Sequence, residues 1–195
     1  MVRIFGVILA GGEGQRMGGA DKALLRLAGQ SLIAHAVARL QPQVERLAIS
    51  ANGDAARFAT LGLPVLGDAV PMGPLSGILS ALNWAARLGG DAVVSVAVDT
   101  PFFPRDLVAR LGLAAATAAE GVALAQSDAL HPTFGLWPVA LAAPLRTFLA
   151  SGAKARVRQF AHDHAAAIAA FPLDGAFRNL NTREDLAAAN ALAAP

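Results

Sequence analysis

Apolar residues along this chain recur at two different spacings. Ile4 to Ala10 is a short, β-branched apolar run that ends at glycines, the pattern of a strand buried on both faces. Helical spacing follows, with apolar residues at Leu32, Ile33, Ala36, Val37 and Leu40. Leu47 to Ala51 predicts a second strand halted by Asn52-Gly53-Asp54, and Val65-Leu66 a brief third halted by Gly67-Asp68. Pro74 opens a helix carrying Leu75, Ile78, Leu79 and Leu82. Ala92 to Val98 is the strongest strand pattern, and Asp99 ends it ahead of Thr100-Pro101. Pro104 to Leu113 reads as helix, Val122 to Ala125 as strand, and His131 to Pro138 as a strand with its exit turn. Two helical stretches, a strand near Ala167 to Phe171 and a helix from Arg183 complete the pattern. Thr182, with Asp185 three residues on, can cap that last helix.

Strands alternating with helices over the first part of the chain predict βαβ units. The expected fold is α/β: a single Rossmann-like domain over residues 1–195, its mainly parallel sheet covered by helices on both faces. Ligands bind such sheets beyond the carboxyl ends of the strands. The glycine-rich loop, Asn52, Asp68 and Asp99 each directly follow a predicted strand, so four polar features converge on one rim. Trp84 and Trp137 are assigned to the core. No internal repeat is seen, and alanine-rich stretches such as "LAAATAAEG" are helical in composition only.

Composition narrows the chemistry. A net charge of +2 without a Lys/Arg cluster argues against a nucleic-acid footprint. No apolar run approaches the ~18 residues of a membrane span, and no secretory signal is recognisable, so neither membrane nor export is expected. Cysteine is absent, which excludes disulfides and zinc-thiolate sites and suits a cytoplasmic protein. His162 and His164 are two apart, the wrong spacing for one helix face, and no metal site is assigned to them. His131, before Pro132, is read as structural. Arginine outnumbers lysine 14 to two, yet one of those two lysines, Lys22, lies at the end of the glycine loop. A compact ammonium and a planar guanidinium are not interchangeable, so Lys22 marks a place where a fork would not fit.

The loop itself is "ILAGGEGQRMGGADKALL", Ile8 to Leu25. Glycines permit close approach and positive φ, so successive N–H groups can form an anion-binding nest, and phosphate is the expected guest. Two familiar phosphate loops fail on spacing. From Gly12 the dinucleotide fingerprint would need a glycine where Met17 stands, and from Gly14 the Walker pattern is broken by Ala20-Asp21 before Lys22 and Ala23 after it.

"LAGGEGQRMGGADKALL" resembles the signature loop of the molybdenum cofactor guanylyltransferases, a branch of the nucleotidyltransferase superfamily. The ending "RMGGADK", Arg16 to Lys22, points to that branch. Further matches are "GPLSG" at Gly73 to Gly77, "DTPF" at Asp99 to Phe102, "HPTF" at His131 to Phe134 and "NLNT" at Asn179 to Thr182. The resemblance implies that Leu9, Ala10 and Gly11 hold the base and ribose of GTP, and that Gly12, Gly14, Arg16 and Lys22 surround its phosphates. Asn52 and Asp68 would add nucleotide contacts, Gly73 and Pro74 would open the turn lining the pocket, and Asp99 would hold Mg²⁺. Asn179 and Asn181 would face molybdopterin, giving a nucleotide-binding part over about residues 1–115 and a molybdopterin-binding part over about 116–195. Arg16, Lys22 and Asp99 are the implied catalytic groups. The partners implied are proteins that deliver molybdopterin or mature molybdoenzymes.

One departure stands out: the family often has Asn-Ala-Asn after its second strand, where this chain has Ser50-Ala51-Asn52. The reaction implied is transfer of GMP from GTP to molybdopterin with release of pyrophosphate. Two other readings stay open on the residues alone. One is a related nucleotidyltransferase with another base or acceptor, cytidylyl or sugar-1-phosphate. The other is a non-catalytic nucleotide-binding domain, against which the joint presence of Arg16, Lys22 and Asp99 speaks.

Overall fold

The short apolar runs become strands because their β-branched residues can be buried on both faces of a sheet, and the helical-period segments cover those faces. A computed structural model describes residues 2–11, 21–68, 71–152, 156–172 and 175–193. In chain order its elements are β1 (Ile4–Leu9), β2 (Arg26–Leu27), β3 (Gln30–Ser31), α1 (Leu32–Leu40), β4 (Arg46–Ser50), β5 (Val65–Leu66), α2 (Pro74–Arg87) and β6 (Ala92–Ala97). Then come α3 (Leu107–Ala115), β7 (Ala123–Gln126), β8 (Leu130–Pro138), α4 (Ala142–Ala150), α5 (Val157–Asp163), β9 (Ala167–Ala170) and α6 (Arg183–Ala193).

Seven strands form one sheet in the order β5-β4-β1-β6-β8-β7-β9. β1 lies parallel between β4 and β6, and β5 adds parallel to β4. β8 runs antiparallel to both β6 and β7, and β9 returns parallel to β7. The sheet is therefore mainly parallel, as the alternation predicts, with β8 the one reversed strand. β2 and β3 form a separate two-stranded ribbon.

Successive residues of β1 serve opposite faces. Phe5, Val7 and Leu9 pack with Leu75, Ile78 and Leu82 of α2, Leu145 of α4 and Phe160 of α5. Ile8 packs with Leu32, Ile33 and Leu40 of α1 and Leu107 and Leu111 of α3, on the face that also takes Ala189 of α6. Trp137 is fully buried, its indole N–H donating to Ser95 Oγ at 2.9 Å, and Ser95 in turn donates to the Thr133 carbonyl at 2.8 Å. That chain satisfies polar atoms that would be costly to bury alone. Both tryptophans belong to the core, as expected.

Helix α1 links β1 to β4 across one face, whereas α2 links β5 to β6 across the other. From neighbouring β1 and β6 the chain leaves in opposite directions along the sheet, through α1 to β4 and through α3 to β7, and ligands in such sheets usually sit beyond the carboxyl ends of strands that diverge in this way. Helix α3 starts at Leu107 and not at Pro104, because Arg105 and Asp106 form a turn in which the Pro104 carbonyl accepts from Leu107 N at 3.3 Å. The final helix begins as expected. Asp185 N donates to Thr182 Oγ1 at 3.0 Å while Asp185 Oδ2 accepts from Thr182 N at 2.9 Å, a reciprocal cap.

Candidate active site

Asp21 shapes the first part of the site. Its Oδ1 accepts from Ala23 N at 3.0 Å and caps a single helical turn, Lys22–Leu24. From that turn Lys22 Nζ donates to Asp99 Oδ2 at 2.9 Å and to Asn181 Oδ1 at 2.7 Å. Both partners of the Lys22–Asp99 pair are about three-quarters shielded, so this is neither a free surface ion pair nor a sealed one. Asp99 stands just beyond β6, and its carbonyl accepts from Leu180 N at 2.8 Å. Thr100, fully buried, places Oγ1 within reach of Asp99 Oδ1 (3.2 Å) and of Asn179 Oδ1. With one proton, that hydroxyl donates to one of them at a time.

The segment Asn179–Asn181 is not a strand. Its side chains nevertheless alternate: Leu180 is buried in the core while Asn179 and Asn181 meet Thr100 and Lys22. Of the residues implied to face the second substrate, Asn181 thus also holds the lysine implied to act on the first, and Asn179 meets Thr100 beside the aspartate. The capping box draws them there, since Asp185 Oδ2 also accepts from Asn181 N at 3.0 Å.

A second polar group forms beyond β4 and β5. Asp68 N donates to Asn52 Oδ1 at 2.8 Å, fixing Asn52 across the two strand ends. The Asp68 carboxylate lies within reach of Ser76 Oγ (3.0 Å) and Ser80 Oγ (3.3 Å) on α2, hydroxyls whose single protons it shares with the Gly73 and Gly67 carbonyls. Gly73 caps α2 at φ +78°, a backbone region glycine enters without strain, and Pro74 follows as its first residue. Gly77 is needed for a different reason. A Cβ there would lie 2.4 Å from Ser50 Oγ and 3.0 Å from Leu9 Cδ2, so α2 rests directly on the ends of β1 and β4.

Leu9 and Ala10 are nearly buried at the end of β1, tied to its neighbours by Val98 N to Leu9 O (3.2 Å) and Ala10 N to Ser50 O (2.9 Å). Gly11 is exposed, with open space beside its Cα. Gly12, Gly14 and Arg16 lie outside the described residues.

The rim convergence read from the sequence is present: Gly11, Asn52, Asp68 and Asp99 each follow a sheet strand. Three contributors were not singled out in the sequence: Thr100, the serine pair Ser76/Ser80, and Arg57. Arg57 sits in a short helical stretch, Ala55–Leu61, with no periodicity to mark it, and its Nε lies 2.7 Å from Asp21 Oδ2. At the rim end of β8, which begins beside the carboxyl ends of β6 and β7, His131 bonds Ser127 Oγ at 2.7 Å and stacks on Phe177 at 4.3 Å; burial holds its pKa below the usual value, partly offset by Asp128. Among the described residues no three His, Cys, Asp or Glu side chains gather into a metal cluster.

Residues 6–167 match the model of the MobA-like NTP transferase domain. The chain belongs to that family. The molybdenum cofactor guanylyltransferase of Cereibacter sphaeroides is 58% identical over 192 residues, covering 98% of this chain and 97% of its own. The resemblance carried by the loop, "GPLSG", "DTPF", "HPTF" and "NLNT" is thereby borne out over nearly the whole chain. Among solved structures, molybdopterin-guanine dinucleotide biosynthesis protein A from Archaeoglobus fulgidus superposes with a TM-score of 0.75 at 20% identity, covering 97% of this chain and 98% of that one. The 4-diphosphocytidyl-2C-methyl-D-erythritol synthase of Anaerococcus prevotii superposes as well, with a TM-score of 0.77 at 14% identity over 98% of this chain and 96% of its own. At such identities the likeness shows a shared fold, and the fold does not choose the base. The MobA-like family is thus fixed by sequence, and the α/β architecture by both.

Proposed function

We propose that this protein transfers GMP from GTP to the terminal phosphate of molybdopterin, forming a guanine dinucleotide and releasing pyrophosphate. The observation that carries the reading is the Lys22–Asp99–Asn181 contact, which joins the exit of the glycine loop, the end of β6 and the segment before α6 at one point. Its support from kinship is the 58% identity to a guanylyltransferase along almost the full chain. Residues up to about 115 serve the nucleotide and those beyond it the acceptor, with Asn179 and Asn181 at the junction.

Phosphoryl transfer asks the protein for positioning and charge neutralisation more than for a covalent group. Lys22 and Arg16 offset charge that develops on the leaving pyrophosphate. In the free protein the Lys22 ammonium is lodged between Asp99 and Asn181, so it is preorganised beside the place where that charge appears. Asn52, fixed by Asp68, and the Gly73–Pro74 turn line the nucleoside side.

The donor set suits Mg²⁺, which takes one or two carboxylates and fills its remaining positions with phosphate oxygens and water. Of the rim carboxylates Asp99, at the end of β6 beside Lys22, is the one that would hold it. Bound there, the ion would neutralise phosphate charge. Among the described residues no helix is long and apolar enough to cross a membrane. With the cysteine-free composition, this supports a cytoplasmic setting, where proteins that supply molybdopterin or receive the dinucleotide are the fitting partners.

The reaction type is tested by the fate of label. With α-labelled GTP and molybdopterin, label should enter the dinucleotide, and γ-labelled GTP should yield labelled pyrophosphate. Release of free labelled phosphate with no dinucleotide would make the protein a hydrolase and overturn the proposal.

A further inference from the structure

We infer that Arg57 is a positioning residue that sets the Lys22 turn against the end of β4 and thereby places the Lys22 ammonium for transfer. The inference rests on the reading of Lys22 given above. Three faces of one guanidinium are committed. Nη1 donates to the Asp54 carbonyl at 2.6 Å, and Nη2 donates to the Asn52 carbonyl at 2.8 Å. Nε lies 2.7 Å from Asp21 Oδ2, off the line of a hydrogen bond, so this third contact is an ion pair. Arg57 Cζ lies over the buried Phe58 ring, 4.6 Å from its centroid.

The consequence follows from what Asp21 does with its other oxygen. Oδ1 caps the turn that carries Lys22, so Arg57 holds the carboxylate that holds the turn. On its far side Arg57 grips the backbone of Asn52, whose side chain is locked to Asp68. A single planar group therefore fixes the spacing between the nucleoside side of the rim and its phosphate side. Lysine in its place could reach Asp21 or the carbonyls but not all three, because it has a point charge and no fork. Asn52 and the turn each keep other bonds, to Asp68 and within Asp21–Leu25, so loss of Arg57 shifts Lys22 and leaves the fold standing. A shift of about 1 Å in a catalytic group is enough to cost ~10²-fold in rate.

The test is a double-mutant cycle on GTP turnover with molybdopterin, with thermal unfolding of every variant and Lys22→Ala as reference. Arg57→Gln and Asp21→Asn should each lower kcat/KM for GTP by about 10- to 10²-fold, mostly through kcat, because Lys22 acts hardest on the leaving group. The double variant should lose no more than either single one, and Arg57→Lys should recover only part. Unfolding temperatures should stay within a few degrees. Asp21→Asn keeps the amide oxygen that caps Ala23, so it carries the test even where Arg57→Gln folds poorly. Losses that multiply in the double variant, or singles within twofold of the parent while Lys22→Ala collapses, overturn the role of Arg57 and leave Lys22 standing. Full turnover in Lys22→Ala would instead remove the reading on which it rests.

Discussion

Replacing Lys22 by methionine separates the site from the fold, because methionine keeps the stem and removes only the ammonium. Two magnitudes compete. A cation about 4 Å from a phosphate charge is worth about 4 kcal/mol at an effective dielectric constant of ~20. Deleting one positioned charge-stabilising group costs enzymes about 2.7–4 kcal/mol, or roughly 10²–10³ in kcat. Against this stands the structural loss. The Lys22–Asp99 pair leaves 22% and 23% of its two side chains exposed, and solvent-screened pairs contribute ~0.2–1 kcal/mol. Adding the bond to Asn181 brings the total to about 1–2 kcal/mol. For a chain of this size that lowers the unfolding temperature by only ~2–8 °C. Steady-state pyrophosphate release paired with calorimetry reads both quantities. Turnover should fall at least ~10²-fold in a protein that unfolds cooperatively near the parent temperature. Turnover within threefold of the parent would refute the assignment, and a collapse in stability would show that Lys22 holds the fold.

Two further outcomes are expected. Gly77→Ala would force a Cβ to 2.4 Å from Ser50 Oγ, so it should destabilise the protein by about 1–3 kcal/mol; adding Ser50→Ala should restore part of that, and an unperturbed melting curve in the single variant would show that α2 does not rest on β4 as described. Burial depresses the His131 pKa below its unfolded value near ~6.5, so the unfolded chain takes up a proton first; stability should be complete above that pH and decline as pH falls toward the folded pKa, a slope in unfolding temperature that His131→Gln removes. An unchanged slope in that variant would assign it to other groups.

The parts legible in the sequence were those that local physics writes locally. Runs such as Ile4 to Ala10 and Ala92 to Val98 announce buried strands, and the residue that halts each one, Gly11 or Asp99, stands beyond the strand's carboxyl end. The direction of β8 was not legible, because a run buried on both faces reads the same whichever way it is laid. The ribbon β2–β3 was missed because two-residue strands are too short to show a period. Asn181 beside Lys22 is a pairing across 159 positions, and the motifs gave only an acceptor role for it. Arg57 carried no signal at all. It is one arginine among 14, and its importance appears only when Asp21 and Asn52 are brought together in space. For the Ser50 departure the structure offers a contact and no explanation: Ser50 packs directly against α2, where a Cβ on Gly77 would come within 2.4 Å of its Oγ.

The central claim is guanylyl transfer to molybdopterin, and a panel of substrates tests it most directly. GTP, CTP and ATP are each incubated with Mg²⁺, with and without molybdopterin or a sugar 1-phosphate, and both pyrophosphate and dinucleotide are measured. A site that hydrogen-bonds one base leaves buried polar groups unpaired with another, a discrimination that can reach ~10⁴-fold. Pyrophosphate and dinucleotide should form together only where GTP and molybdopterin are both present. Turnover with CTP and not GTP would contradict the base, and turnover of GTP with a sugar phosphate but not with molybdopterin would contradict the acceptor.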